Sequence, residues 1–231
     1  MESAHSEVPT VLPRGRHAAA PEVVAESQRL RMLAAMASAT AEKGYARVTV
    51  GDVLDRAGVS RRTFYEHFDN KQACFLAAYD FGVDLLLKAI DDAIAQPADD
   101  WLETAARATR RYLETLAASP DFARTFMLEV PAAGPEALAR RAVVHERFAD
   151  QLAAIHRAAR EDIPELQPHP PYVFRACVGA INELVMEHLA DREAGTLPVL
   201  TGPVLEVVLA LLVGRELSAR AAEMPDLPGR S

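Results

Sequence analysis

The sequence predicts an all-α protein: an N-terminal three-helix head joined by a long helix to a larger helical body. Three features carry this. The 15 prolines and 11 glycines gather at the ends and at a few breaks, while the interior is rich in Ala, Leu, Glu and Arg, which lose little freedom in a helix. Between the breaks apolar residues recur three and four apart. A length of 231 residues with 50% hydrophobic content is ample for a packed core, and two domains sharing a helix fit best. The expected division is a tail over 1–20, a head over 21–70, a body over 71–222 and a flexible end over 223–231.

Residues 1–20 have no sustained apolar period and carry Pro9, Pro13 and Gly15, so a mobile tail is expected. A minor-groove arm using Arg14 and Arg16 is the alternative. From Pro21 the positions Val24, Leu30, Leu33, Met36, Ala37 and Thr40 have helical spacing, and Gly44 follows Lys43 as a terminating glycine. Tyr45 is expected to pack at the corner. Thr49 and Asp52 have the spacing of a capping box, which starts a helix near Val50 with Val50, Val53 and Leu54 inward. Ala57-Gly58 permits the sharp turn that ends it. Val59 plugs the corner and Ser60 caps a second short helix. Phe64 and Phe68 point to the core, and Arg61, Arg62, Thr63, Tyr65 and His67 point outward. This is a helix-turn-helix.

A long helix then runs from Lys71 to about Ala95 and stops at Gln96-Pro97-Ala98-Asp99-Asp100. A helix from Trp101 to about Ala118 follows, then a short one from Phe122 to Glu129 that the Val130 to Pro135 loop closes. Glu136 to about Arg160 reads as one helix with Leu138, Val144, Phe148, Leu152, Ile155 and Ala159 inward. After the Pro-rich loop from Ile163 to Pro171, a helix from Tyr172 to Arg192 carries an apolar arc too wide for one neighbour. The last helix, Pro203 to about Leu217, is apolar nearly all round. A second chain is the simplest cover for both, with Ile181, Leu184, Val185, Val208 and Leu212 at the interface.

Composition excludes several classes. Cys74 and Cys177 lie in apolar helical contexts without CxxC spacing, so buried thiols and a reducing cytoplasm are expected. The N-terminus has no apolar signal region, and the most apolar run, from Pro203 to Gly214, is short of the roughly 20 residues of a membrane span. The motifs GxGxxG, GxSxG, HExxH and a Walker A lysine are absent, so neither an enzyme nor a cofactor is expected. His145 and His156 share a helix face but stand about 16 Å apart at 1.5 Å per residue, too far to share a metal ion, and no metal is assigned. The net charge of −8 and pI near 5.4 look unfavourable for binding DNA. The distribution reverses that reading: Lys43, Arg47, Arg56, Arg61, Arg62 and Lys71 surround the helix-turn-helix, while Asp80, Asp84, Asp91, Asp92, Asp99 and Asp100 follow it.

From Arg29 to Ala78 the sequence resembles the TetR family of transcriptional regulators, through Thr49, the small-residue turn, AGVS, the TFY-x-HF run from Thr63 to Phe68, and Lys71. Leu54 replaces a usual alanine, and Arg62 a frequent glycine. The resemblance implies that Thr49, Tyr65, His67 and Lys71 bind the DNA backbone. Ser60 and the first N–H groups of the second helix suit a phosphate. Arg61 and Arg62 have the fork that matches guanine O6 and N7, and Thr63 a methyl for thymine, so these three are the candidates for base readout. The resemblance further implies a homodimeric regulator, a repressor rather than an activator, released from a palindromic operator in double-stranded DNA by an apolar or amphipathic small molecule. Trp101, Tyr112, Phe122, Phe126, Met127, Phe148 and Phe174 are the candidate pocket lining, with Arg175 or Asn182 as polar anchor. The rival reading is a helical carrier or scavenger of hydrophobic molecules that has lost operator binding.

Overall fold

A computed structural model of the chain describes residues 21–98 and 100–214. The expected N-terminal tail, its arginine arm and the C-terminal end therefore lie outside the described residues. These residues divide into two compact units that meet at the Tyr79–Asp80 bond. Every regular element among them is helical.

In the first unit, α1 (Pro21–Lys43) opens on a proline, whose missing N–H costs nothing there, and ends at Gly44, whose φ of 76° suits only glycine. A single 3-10 turn (Tyr45–Arg47) leads to α2 (Val50–Ala57) and α3 (Arg61–His67). The capping box at Thr49 is complete: the Thr49 hydroxyl accepts from the Asp52 amide, and the Asp52 carboxylate accepts from the Thr49 amide at 2.8 Å. Gly58 is left-handed at φ 62°, and Ser60 caps α3 by accepting from the Thr63 amide at 3.0 Å. Met32, Met36, Val53, Phe64 and Phe68 fill the core, with Cys74 and Phe75 from the start of α4 (Lys71–Ile94). Tyr45 meets Phe75 edge to face at 4.7 Å. Arg31 of α1 donates to the Ala57 carbonyl at 2.6 Å, placing a cation on the negative end of α2.

In the second unit, the rest of α4 is joined by α5 (Trp101–Ala117), α6 (Pro120–Leu128), α7 (Pro135–Asp162), α8 (Pro171–Asp191) and α9 (Thr201–Leu212). Asp100 caps α5 by accepting from the Glu103 amide at 2.8 Å. One apolar cluster gathers Leu86, Ile90, Leu113, Leu116, Val185 and Leu189; a second gathers Ala149, Phe174, Cys177, Val178, Val208 and Leu212. A 3-10 stretch (Ala194–Leu200) fills the gap before α9 and buries Ala194 and Leu197. The apolar run 194–212 has the length and composition of a membrane span. Here Pro198 lies in the 3-10 segment, and Leu197, Val204, Leu205, Val208 and Leu209 pack inside the body.

Several expectations are corrected by this packing. Val185, Val208 and Leu212 are not open for a partner chain: they are 0%, 8% and 4% exposed within one chain. Ile181 and Leu184 are half-buried against the same cluster. The wide arc of α8 is met by α6, α7, the 3-10 stretch and α9 together, so a single neighbour was the wrong standard. Leu138, expected inward, is 46% exposed, and His156 is buried. The last helix ends at Leu212, where Val213 caps it and Gly214 turns at φ 91°; 215–217 lie outside the described residues. Both thiols are buried, which pushes each up to about 12.

Candidate nucleic-acid interface and a cleft in the body

The surface of the first unit is built on α3. Phe64 is wholly buried and Phe68 nearly so, which anchors one face of this short helix and turns the other to solvent. Arg61, Arg62 and Tyr65 stand on the exposed face, Tyr65 49% exposed and edge to face with Phe64 at 5.4 Å. Thr63 and His67 are half-buried at its flanks. The Arg62 Nε donates to Glu66 at 3.0 Å, one turn on, so the Arg62 fork is not bare. Glu66 was not singled out from the sequence, although its i,i+4 spacing from Arg62 was the available signal. Arg61 joins no ion pair among the described residues.

The other basic residues of the predicted tip are largely engaged. Lys43 pairs with Asp52, whose carboxyl is held well below the usual range by that hydrogen bond and by those from the Thr49 amide and hydroxyl. Arg56 pairs with Glu42, and Arg47 donates to the Lys43 carbonyl at 2.6 Å. The Thr49 hydroxyl donates to Asp52 at 2.8 Å, so its proton is committed within the cap. Lys71 is a clamp. Its Nζ donates to the Tyr45 carbonyl at 2.9 Å and the Val48 carbonyl at 3.0 Å, and lies 4.1 Å from the centroid of the Tyr45 ring. Burial lowers the Lys71 pKa and raises that of Tyr45. One ammonium proton remains for an outside partner.

The second unit contains a cleft of about 540 Å³ between the end of α4, the start of α5 and the last half of α7. Trp101, Ile94, Ala98, Ala154, Ile155 and Ala158 form its apolar wall. Its polar groups are Asp91, Asp100, Asp162, Thr104 and Gln151. Of the nine residues expected to line a pocket, only Trp101 is there. Phe126 and Phe174 are core residues at 3% and 7% exposure, and Tyr112, Met127 and Phe148 pack against the first cluster. Phe122 lies over Gly82 of α4, so close that a Cβ at Gly82 would sit 1.4 Å from the ring. Arg175 is on the surface, paired with Glu146 at 3.1 Å, and Asn182 donates to the Met186 sulfur at 3.0 Å. Aromatic content was the wrong guide because large rings fill cores first. Among the described residues no group of three metal-ligating side chains converges.

Residues 33–78 match the family model described as bacterial regulatory proteins, tetR family. The chain is 27% identical over 194 residues to the HTH-type transcriptional regulator EthR of Mycolicibacterium smegmatis, covering 82% of this chain and 86% of that one. It is 34% identical over 88 residues to EthR of Mycobacterium tuberculosis, covering 38% and 40%. Among solved structures it shares the fold of the transcriptional regulator FadR from Bacillus subtilis, crystallised in complex with stearoyl-CoA. The TM-score there is 0.70 at 19% identity, over 80% of this chain and 98% of that one. The fatty acid degradation regulator FadR from Bacillus halodurans gives 0.69 at 20% identity, over 80% and 94%.

With the exposed face of α3 and an all-helical body, these matches make the chain a helix-turn-helix DNA-binding transcriptional regulator. Over residues 33–78 it is similar to the tetR family of bacterial regulatory proteins, and the relatives it matches are regulators, not enzymes.

Proposed function

We propose that the protein is a repressor that binds a palindromic operator as a homodimer and leaves it when a small molecule occupies the body. The observation that carries the DNA side is α3: a rigid, capped helix held by Phe64 with Arg61, Arg62 and Tyr65 exposed in a row. Arg61 and Arg62 read bases, Thr63 supplies a methyl, and Ser60, Tyr65, His67 and the remaining donor of Lys71 meet phosphates, while Thr49 reaches one only by giving up its hydroxyl bond to Asp52. Its place of action is where the operator is, in the cytoplasm.

Two half-sites need two heads about 34–36 Å apart or a multiple of it, which a dimer supplies. The surface left for that contact is the outer stripe of α8 and α9. Ala176, Gly179 and Glu183 on α8 and Ala210 and Leu211 on α9 are exposed, and a Cβ at Gly179 would meet nothing within 4 Å. Small residues there let two helices approach closely. The ligand side is supported by the cleft, whose volume lies in the usual range for small-molecule sites, and by the stearoyl-CoA held by the Bacillus subtilis relative.

The test is a gel-shift titration against a duplex selected from random sequence. Wild type should bind with a steep salt dependence, and Arg62→Ala should lose about 1–3 kcal/mol and relax base preference. Absence of any salt-dependent duplex binding would instead make the chain a carrier of hydrophobic molecules.

A further inference from the structure

We infer that the cleft at Trp101 takes an organic cation with an apolar tail, not a fatty acid or its coenzyme A thioester. The inference rests on the sensing role proposed above and names the ligand class.

Charge decides it. Asp91, Asp100 and Asp162 face the cleft, and the lining contains no lysine, arginine or histidine. None of the three carboxylates joins an ion pair among the described residues. Asp91 accepts from Gln151 at 2.6 Å and Asp100 from the Glu103 amide, which position these groups but leave their charge unneutralised. Arg107, at the end of α4, donates to the carbonyls of Ala93 and Gln96, each at 2.8 Å, and of Pro97, and its charge is balanced by Glu103 at 3.5 Å, outside the lining.

The backbone adds to the same field. α7 ends at Asp162, which lines the cleft, so one negative helix end points there, while the end of α4 is covered by Arg107. The one helix that starts at the cleft, α5, has its positive end covered by the Asp100 carboxylate. An anionic head group would meet three carboxylates and no cation among the lining residues. An ammonium is attracted by all of them and by the indole of Trp101, the best aromatic partner for a cation. Ile94, Ile155 and the alanines then cover a short alkyl or aryl tail.

Trp101 is the sole tryptophan of the chain, so tryptophan fluorescence has its one reporter in the wall of this cleft. The full-length protein is titrated with decyltrimethylammonium below its micellar concentration, and in parallel with decanoate and decanoyl-CoA, which carry a ten-carbon chain on an anionic head. The ammonium should bind at least tenfold more tightly than either anion. Asp162→Asn should weaken it severalfold, and Asp162→Lys should reverse the preference. Asp162 is exposed, so both variants should fold, which circular dichroism checks. Equal or tighter binding of decanoate or decanoyl-CoA, or no fluorescence response to the ammonium, overturns the inference. A parallel gel shift separates the two claims. If the ammonium binds at Trp101 but operator affinity is unchanged, the cation site stands and the sensing role fails. If decanoyl-CoA releases the operator while the ammonium does nothing, sensing stands and the cation site falls.

Discussion

Lys71→Met tests whether this lysine holds the head together or holds DNA. Methionine keeps the aliphatic stem and removes the ammonium, so the change deletes the bonds to the Tyr45 and Val48 carbonyls, at 2.9 and 3.0 Å, and the contact 4.1 Å above the Tyr45 ring. A hydrogen bond from a charged donor contributes about 1.5–3 kcal/mol, and a cation over a ring about 0.5–1 more at a partly exposed site. The full sum is not expected. Lys71 is only half-buried, water can replace the ammonium at both carbonyls, and its own burial disfavours the charge. A loss of about 1–3 kcal/mol is the net expectation. Because this loss falls on the turn between α1 and α2, hydrogen exchange of the amides from 45 to 57 is the direct readout. Protection there should fall by that amount, and affinity for every duplex should fall with it. If protection is unchanged while the salt slope of DNA binding drops by about 1, Lys71 is a phosphate contact alone and the clamp reasoning is wrong.

The remaining predictions concern the body. Gly82→Ala should destabilise the protein by roughly 1–3 kcal/mol, because the new methyl overlaps the Phe122 ring at 1.4 Å, but in a Phe122→Ala background it should stabilise by about 0.5–1 kcal/mol through helix propensity. Urea denaturation of the four proteins measures the coupling, and the same sign in both backgrounds would refute the overlap. Val208→Glu buries a carboxylate in the core and should cost several kcal/mol of fold stability, whereas Leu211→Glu, on an exposed position, should leave the fold intact and give monomers in light scattering. A folded dimer with undiminished operator affinity from Leu211→Glu would move the interface elsewhere. Stability should fall on acidification below the ordinary histidine value of about 6.5. The pKa values of His145, His156 and His188 are lowered in the fold, chiefly by burial, so the unfolded chain binds more protons as pH drops through that range. His156, whose Nε2 is buried without a hydrogen-bond partner beside His169, should carry part of this slope. An unchanged slope of melting temperature against pH in His156→Leu would exclude it.

The helix-turn-helix was legible because its determinants are local. The capping box at Thr49, the left-handed Gly58, the Ser60 cap and the alternation of Phe64 and Phe68 with exposed arginines each act within four residues. Spacing alone therefore sets the start, turn and outward face of α3. Proline and glycine breaks located the body helices to within a few residues for the same reason. What faced what was decided elsewhere. The arcs of α8 and α9 look unpartnered in sequence, yet within one chain α6, α7 and the 3-10 stretch cover α8, α5 and the same stretch cover α9, and the two helices cover each other. Lys71 looks like a free cation until the Tyr45 and Val48 carbonyls, more than twenty residues earlier, arrive beside it. The cleft joins Asp91, Trp101 and Asp162, three residues whose only relation is that α4, α5 and α7 pack together. A one-dimensional pattern carries the hydrophobic period of each helix, but the partner of each face is a long-range property, set only when all the faces compete to be buried at once.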